Sequence, residues 1–467
     1  MSYAEKILIV VGVILAVFTV FLYLPGEEKA GYFALLGDPA TQPEGIIGLL
    51  FLKEDIVPFL AGELAGTRPN ETARIGAIKV LARKYGALPD ERIGKLLAAL
   101  CPGASAPVRR EIYRVIASNH QAADLDLFVR GVTTEEDNDS LKILLDNAGG
   151  YQDKLKEDPA LTAAVRERLL VLRDAGHPGV RSQARLLLSR EVTEIVDRAE
   201  KAAANFDFTA AEEAYTAARA ILPDNRYLVY SWGKYFYKRR GDTVRGGEIL
   251  EKAGFLYRAA RATAAPEIDG KMDDPLWATT ARLPAFYSNT SGQPEPATLN
   301  IEVGLRYDDQ CLYLAAKGSG DYNRVVTNAP GRDGNVWEDD CCEVFIDPDA
   351  DEQTYLQIIV NPKGTIYDAT NDAQPAAKPG DRSRNRSKSN WNGVYRSKTF
   401  FAPGAYWSVE FAFPWKVFEL EKAPAAGSVW GFNFVWTKQT KPAQYAQWTP
   451  TYGSAHMPWQ FGFLVFE

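Results

Sequence analysis

Hydrophobic and polar residues follow three different patterns along the chain. Residues 7–24 form an apolar run of eighteen residues without a charge. Between about 66 and 262, apolar residues recur at the spacing of short amphipathic helices that are broken by Pro, Gly and Asn. After Pro266 the period changes to two, as in 299–307 and 407–413, which predicts strands. The pattern therefore predicts several domains: an apolar N-terminal segment, a helical part and a β part.

The apolar N-terminal run predicts a membrane anchor. At about 1.5 Å of rise per residue, a helix over 7–24 reaches about 27 Å, enough to cross a bilayer core. A cleaved signal peptide is the alternative, but its apolar core is usually only about 7–15 residues long. Lys6 precedes the run and Glu27 and Glu28 follow it, which places the N-terminus in the cytoplasm. We therefore expect a single-pass protein of the cell membrane, with a stub and transmembrane helix at 1–24 and the rest of the chain periplasmic or otherwise extracytoplasmic.

Residues 25–65 are predicted to be a linker. Their apolar stretch, 45–62, is interrupted by Lys53, Glu54, Asp55 and Pro58. A short helix at the membrane surface or against a partner is favoured there over a second span.

The helical part predicts a solenoid. Arg74, Arg109, Lys142 and Arg181 open successive apolar helices at separations of 35, 33 and 39 residues. Such a period is typical of stacked helix pairs, and residues 66–190 resemble HEAT-type repeats. Residues 210–225 resemble the second helix and exit turn of a tetratricopeptide repeat, so 191–262 are predicted as tetratricopeptide-like helices. Solenoids present extended surfaces that bind other proteins.

Composition and charge narrow the function. With 53 Lys and Arg against 60 Asp and Glu, the net charge of -7 argues against a general nucleic-acid binder. Three histidines far apart and four cysteines without a C-x-x-C spacing leave little for a zinc centre or a Ser-His-Asp triad. No phosphate loop or pair of nucleophile and base appears either. The sequence therefore predicts a protein that is not an enzyme.

The β part carries a set of motifs in a fixed order. They are Pro266-Glu267-Ile268-Asp269-Gly270, Tyr307-Asp308-Asp309, Trp337-Glu338-Asp339-Asp340, Glu343-Val344-Phe345-Ile346-Asp347-Pro348, Asn361-Pro362-Lys363-Gly364, Phe413-Pro414-Trp415, Trp430-Gly431 and Phe461-Gly462. With these motifs, residues 263–467 resemble carbohydrate-binding module family nine. The resemblance implies a β-sandwich, which the alternating strands predict to be antiparallel, often with structural calcium.

The resemblance also implies a site that holds sugar chain ends between two tryptophans. Trp337 falls on one aromatic wall, and Glu343 falls where the family has a carboxylate that bonds sugar hydroxyls. The chain departs from the family at the second wall, which is Ala455, and at two polar positions, which are Val435 and Pro442. Trp448 and Trp459 are the candidate substitutes for the missing wall.

Other residues have two interpretations each. Asp347, Asp349 and Asp351 have the spacing of a calcium loop, or they form an ordinary acidic turn. Cys311 forms a disulfide with Cys341 or Cys342, or all three are buried free thiols. The basic run, Arg382, Arg384, Arg386 and Lys388, is a contact surface for an acidic partner or a solvated loop.

These features lead to two functional predictions. The first is a non-catalytic, membrane-anchored scaffold or accessory subunit, which uses its repeats and its sandwich to dock on a larger membrane protein complex. The second is a surface-tethered receptor for sugar chain ends. The predicted partners are the lipid bilayer, other subunits and carbohydrate, with no nucleic acid, and calcium is the one cofactor that the residues suggest.

Overall fold

The computed structural model describes residues 28–52, 54–66, 69–87, 90–289, 299–374, 384–440 and 443–467. The chain divides into two compact units. The first comprises residues up to Ile195 together with Thr216–Leu222, and the second comprises Val196–Tyr215 and Pro223–Glu467.

The first unit is built of helices. In chain order they are α1 Glu28–Leu35, α2 Gln42–Phe51, α3 Val57–Ala65, α4 Glu71–Ala87, α5 Glu91–Leu100, α6 Ala106–Asn119, α7 Leu125–Thr134, α8 Asn138–Asp146, α9 Gln152–Lys156, α10 Pro159–Leu172 and the start of α11 Pro178–Ala204. Side-chain caps begin several of them: Asp90 accepts from the backbone N–H of Arg92, and Asp137 accepts from that of Ser140. Each cap satisfies a helix donor that has no partner within the helix.

Three of the four regularly spaced basic residues make the same contact. A guanidinium N–H donates to a carbonyl in the turn before the helix, from Arg74 to Gly66, from Arg109 to Ala104 and from Arg181 to Ala175, at 2.7–2.9 Å. The spacing of these residues thus has a structural cause, since each one ties a turn to the helix that follows it. The assignment of this part to HEAT repeats stays a prediction.

The second unit opens with helices and continues into a sheet. Its helical elements are the end of α11, the start of α12 Phe208–Ile221, α13 Arg226–Lys234, a π-helical turn Tyr235–Arg240 and α14 Thr243–Lys252. The Tyr215 hydroxyl and the Ser231 hydroxyl lie 2.8 Å apart, and Ser231 also donates to Glu200. These hydrogen bonds join α11, α12 and α13 inside an aromatic cluster that includes Trp232 and Tyr235.

Among the described residues, thirteen strands form the β part, with a short helix, α15 Pro275–Ala278, before β2. They are β1 Leu256–Arg261, β2 Tyr287–Ser288, β3 Asn300–Tyr307, β4 Cys311–Ser319, β5 Cys341–Asp347, β6 Thr354–Val360, β7 Ile366–Gln374, β8 Arg384–Lys388, β9 Arg396–Ala402, β10 Tyr406–Pro414, β11 Val429–Lys438, β12 Gln444–Gln447 and β13 Gly462–Phe466. The hydrogen-bonded order is β8-β7-β6-β5-β11-β13-β1-β3-β4-β10-β9, with β12 pairing β11 and β2. Strand β1 links the two halves of this order.

The main core lies between these two halves. It contains Val344 and Trp436 from one half and Leu314, Val409 and Trp407 from the other, all fully buried. The rings of Trp407 and Trp436 lie 4.2 Å apart, and the indole N–H of Trp436 donates to the Tyr322 hydroxyl at 2.8 Å. The β part is thus a sandwich-type domain whose two layers share one apolar interior.

Three expectations are corrected here. No helix among the described residues is long and apolar enough to cross a membrane, and the predicted span, 7–24, lies outside them. The fold class with a transmembrane helix, the single-pass topology and the membrane localisation are therefore wrong as predictions. The sheet is mixed rather than antiparallel, because β1 pairs parallel with both β13 and β3. Cys311, Cys341 and Cys342 are buried free thiols, so the structure contains no disulfide among them.

Candidate ligand-binding face of the sheet

Strands β5, β6, β7, β8, β11 and β12 have two faces of different character. Residues on one face belong to the main core, including Cys342, Val344, Ile346, Leu356, Ile358 and Trp436. We call the opposite side the outer face. By register it carries Cys341, Glu343, Phe345, Asp347, Tyr355, Gln357, Ile359, Tyr367, Ala369, Asn371, Asn385, Ser387, Asn433, Val435, Thr437, Tyr445 and Gln447. Side chains alternate along a strand, so the same strands build the core and this mostly polar face, many of whose residues are themselves buried.

Trp337 stands at the β5 end of the outer face. Its ring meets Tyr367 edge-on at 5.3 Å, and 42% of its surface is exposed. The acidic residues after it hold the neighbouring backbone: Asp339 accepts from the N–H of Asn328 and Ala329, and Asp340 accepts from that of Val326. Both carboxylates are buried and occupied with these contacts. They therefore tie the segment after Trp337 to residues 326–329.

Glu343 lies in the middle of the outer face, between two apolar residues. Its partners across the strands are Val435 on β11 and Ile359 on β6. Burial against them raises the pKa of the Glu343 carboxyl to about 7, although a 2.9 Å hydrogen bond from the Gln357 amide opposes this shift. The carboxylate is thus a strong acceptor with lone pairs left over, because an ionised carboxyl has about four acceptor positions.

A polar network covers the β7 and β8 side of the outer face. Asn385 donates to Asn371 at 3.1 Å and to His456 Nδ1 at 2.9 Å. The Tyr355 hydroxyl lies 2.6 Å from the same His456 nitrogen, and Ser387 donates to Asn371 at 2.5 Å. The network spans four chain segments that are distant in sequence, which fixes the loop around His456 over the sheet.

That loop is also held from the helical side of the same unit. The Tyr230 hydroxyl donates to the carbonyls of Trp459 and Phe461, at 3.0 and 2.8 Å. The Lys234 ammonium donates to the Trp459 carbonyl at 2.7 Å and to Glu352 at 2.8 Å. Helix α13 therefore fixes the loop that borders the outer face.

The structure places the four candidate residues of the sugar site in different surroundings. Trp337 and Glu343 both lie on the outer face or at its border, as described above. Trp459 is half-buried and packs with Ala455 against an aromatic cluster on this face. Trp448 is fully buried in the main core, because it follows Gln447 and so points to the other side of the sheet. The proposal of Trp448 as an aromatic wall is therefore wrong.

The structure offers a different aromatic residue. Tyr445 lies on the outer face opposite Thr437, with 50% of its surface exposed. Trp337 and Tyr445 are thus two exposed aromatic rings on the side of the sheet that carries Glu343. Val435, which the sequence places at a polar position of the family, lies between Glu343 and Gln447 on the same face. Pro442 lies outside the described residues.

The basic run is placed away from this face. Arg386 pairs with Asp372 and Lys388 with Thr370, on the side of β7 and β8 opposite to Asn385 and Ser387. Arg384 is in the same strand, whereas Arg382 lies outside the described residues. A role of these residues in contact with a partner stays a prediction.

The predicted calcium ligands lie together in the turn between β5 and β6. One carboxylate oxygen each from Asp347, Asp349 and Asp351 lies within 4.8 Å of the other two. Asp347 is buried and the other two are exposed. Its carboxylate accepts backbone N–H groups of Asp351 and Glu352, and burial raises its pKa to about 7. Three hard oxygen donors at this separation suit a calcium ion.

Sequence reasoning missed most of the polar residues on this face. The position of Gln357 could be predicted, because Leu356 and Ile358 share the core face and their neighbours in the strand must point to the other side. Gln357, Tyr355 and Ile359 follow from that alternation alone. The sequence could not predict that Asn371, Asn385 and His456 lie together, because their contacts depend on strand register and on the path of a loop.

The fold and this face define a class: a β-sandwich module with a polar, aromatic-bordered face for a ligand. The family model described as "Carbohydrate family 9 binding domain-like" matches residues 268–467. That part of the chain is therefore a domain like carbohydrate-binding module family nine, as its motifs predicted. No curated protein matches the chain.

Solved structures of low sequence identity are similar to the chain. A family 9 carbohydrate-binding module from Caldicellulosiruptor kristjanssonii, in complex with glucose, has 20% identity and a TM-score of 0.32, covering 45% of this chain and 96% of its own. A protein from Bacteroides uniformis, named as carbohydrate-binding, has 19% identity and a TM-score of 0.34, covering 45% of this chain and 99% of its own.

Proposed function

We propose that the domain at 268–467 binds neutral oligosaccharides on its outer face. The observation that carries the proposal is that an exposed indole, Trp337, borders the sheet face that carries the Glu343 carboxylate, within the family-nine-like domain. Sugar rings present an apolar C–H face and a rim of hydroxyls, which an aromatic ring and a fixed acceptor recognise together. The face needs no reaction chemistry for this role, so the domain acts as a binding module.

The charge of the outer face supports a neutral ligand. Among the described residues, none of those that the register places on the outer face is Lys or Arg, and Glu343 is negative above about pH 7. An acidic sugar would bring a second negative charge to this carboxylate without a cation to balance it. Amide and hydroxyl groups such as Gln357, Asn371 and Ser387 suit neutral hydroxyls instead.

The test is a binding titration of the full chain. Calorimetry with cellobiose, maltose, xylobiose, mannobiose and chitobiose should give saturable heat for at least one of them at pH 8. A disaccharide that contains a uronic acid should bind at least tenfold more weakly than its neutral counterpart. Absence of heat with all five neutral disaccharides would overturn the proposal.

We also propose that Asp347, Asp349 and Asp351 hold a calcium ion. The turn they occupy precedes Glu352, which pairs with Lys234 and Lys238. An ion there stabilises the junction between the turn and the helical segment, and it takes no part in ligand contact. The accessory-subunit role of the helical part stays a prediction, now without the membrane anchor.

A further inference from the structure

A histidine beside the outer face is held in a single tautomer. Tyr355 Oη and Asn385 Nδ2 lie 2.6 and 2.9 Å from His456 Nδ1. The amide nitrogen can only donate, and of its three neighbours, Asn371 Oδ1, Ser387 Oγ and His456 Nδ1, the ring nitrogen is the nearest; this contact assigns the acceptor role to Nδ1. A neutral imidazole carries its one proton on the other nitrogen, so His456 presents an N–H at Nε2.

The ring that carries this N–H packs against residues of the outer face. The His456 ring stands edge-on to Phe345 at 5.8 Å, and Phe345 is two residues from Glu343 on the same face. The imidazole is partly exposed, and no acceptor is described for Nε2 among the described residues. Burial lowers the pKa of His456 to about 4, so the ring stays neutral at physiological pH. The loop that carries it is fixed by Tyr230 and Lys234.

We propose that His456 is a specificity-determining residue: its Nε2–H donates a hydrogen bond to a hydroxyl of the bound sugar. Tyr355 and Asn385 are positioning residues, which act by keeping the proton off Nδ1. The inference rests on the proposed function and adds a donor to it. Glu343 accepts from one hydroxyl and His456 donates to another, so the two read different groups of one neutral sugar chain.

The arrangement makes the face selective. A fixed N–H that is covered by a ligand without an acceptor loses its hydrogen bond to water and gains none. Sites built in this way reject an analogue that lacks one hydroxyl much more strongly than an apolar pocket does. We therefore expect one monodeoxy analogue of the bound disaccharide to bind poorly because of His456 alone.

The first experiment observes the ring. The chain has only three histidines, so full-length protein labelled with ¹⁵N-histidine gives three pairs of ring signals. His456→Gln assigns one pair, which should show a protonated Nε2 and a bare Nδ1 from pH 5 to 8. Saturation with the tightest-binding disaccharide of the panel should shift the Nε2 signal of His456 and leave His120 and His177 unchanged. A δ tautomer, or an unmoved His456 signal at saturation, would overturn the inference.

The second experiment measures affinity. His456→Ala should weaken binding of that disaccharide about tenfold, which is the loss of one hydrogen bond to a ligand. The monodeoxy analogue that lacks the contacted hydroxyl should bind His456→Ala more tightly than the wild type, because the variant has no N–H to leave unpaired. Tyr355→Phe should weaken binding about threefold and give a mixed tautomer in the ¹⁵N spectrum, which a merely structural role would not do.

Controls separate the inference from the proposed function. His177→Ala, in the helical unit, should bind as the wild type does. Wild-type binding with unchanged affinity in a folded His456→Ala would remove the inference and leave the proposed function standing. If wild type binds no disaccharide of the panel, both fall together. If His456→Ala does not fold, the wild-type ring signals decide the question.

Discussion

The two faces of β5, β6 and β11 are built by alternate residues of the same strands and serve opposite ends. On the core face, Val344, Ile346 and Trp436 are fully buried among apolar side chains, and the one polar group of Trp436 donates to the Tyr322 hydroxyl. On the outer face, Glu343, Gln357 and Thr437 stand one residue away, and the sheet carries polar groups and exposed rings. The core face gains free energy by leaving water, whereas the outer face keeps unused hydrogen-bonding capacity. A substitution on the core face should therefore mainly alter the stability of the fold, and a substitution on the outer face should mainly alter ligand binding.

The largest expected effect comes from replacing one tryptophan at each face by alanine. Trp436→Ala should lower the free energy of unfolding by about 3–5 kcal/mol, because it leaves a cavity in the main core and an unpaired Tyr322 hydroxyl. Trp337→Ala should leave stability within about 0.5 kcal/mol of the wild type and weaken sugar binding more than tenfold. Denaturant unfolding and calorimetry measure the two effects. Equal losses of stability in the two variants would contradict the distinction between the faces.

Calcium should act on stability and leave binding alone. If the aspartate turn binds calcium with a dissociation constant of about 0.1 mM, then 10 mM calcium stabilises the fold by about 2.7 kcal/mol. A thermal melt with and without calcium measures the gain. Asp349→Asn should abolish the gain and keep disaccharide affinity unchanged, since Asp349 is exposed in the turn. An equal gain with 10 mM magnesium, or a gain that survives in Asp349→Asn, would argue against a calcium site.

The ionised Glu343 carboxylate should lower the stability of the fold, although the proposed function needs it. Its pKa of about 7 in the folded protein lies above the unfolded value of about 4.3, so the folded state holds the proton more tightly. Ionisation therefore destabilises the fold progressively as pH rises from about 4.5 to about 7. Glu343→Gln should be about 1–2 kcal/mol more stable than the wild type at pH 8 and equally stable at pH 4, yet bind sugar more weakly. Urea unfolding at both pH values tests this, and a variant that is less stable at pH 8 would reverse the argument.

The smallest effect concerns the loop that borders the outer face. Lys234→Met removes donors to the Trp459 carbonyl and to Glu352, whereas Lys238→Met removes donors to the Ala350 carbonyl and to Glu352. Both variants should lose about 1 kcal/mol of stability. Only Lys234→Met should also weaken disaccharide binding, about twofold to threefold, because it loosens the segment that includes His456. Indistinguishable affinities in calorimetry would show that this contact does not support the face.

Much of the β part could be predicted from the sequence. Its motifs identified the fold, and alternation around Val344 and Ile346 already required Glu343 to point away from the core. The prediction of Trp448 as an aromatic wall was wrong because the register of a short strand, Gln444–Gln447, decides which face of the sheet Trp448 reaches. The hydrogen-bond network around His456 could not be predicted, because it joins four segments that only the folded chain brings together. The predicted anchor was drawn from hydropathy alone, and an apolar run does not show by itself what surrounds it.

Strand β1 has a mechanical consequence. It comes directly after the helical run and before the first residue of the family match, and it lies between β13 and β3 with both neighbours parallel to it. Tension on the chain at residue 255 would act along this strand and load its hydrogen bonds on both sides in shear, all at once. Force-driven unfolding is governed by the unfolding rate. Under the proposed function, a pull between a bound sugar and the helices would load both hydrogen-bond ladders of β1 together, rather than open the sheet strand by strand.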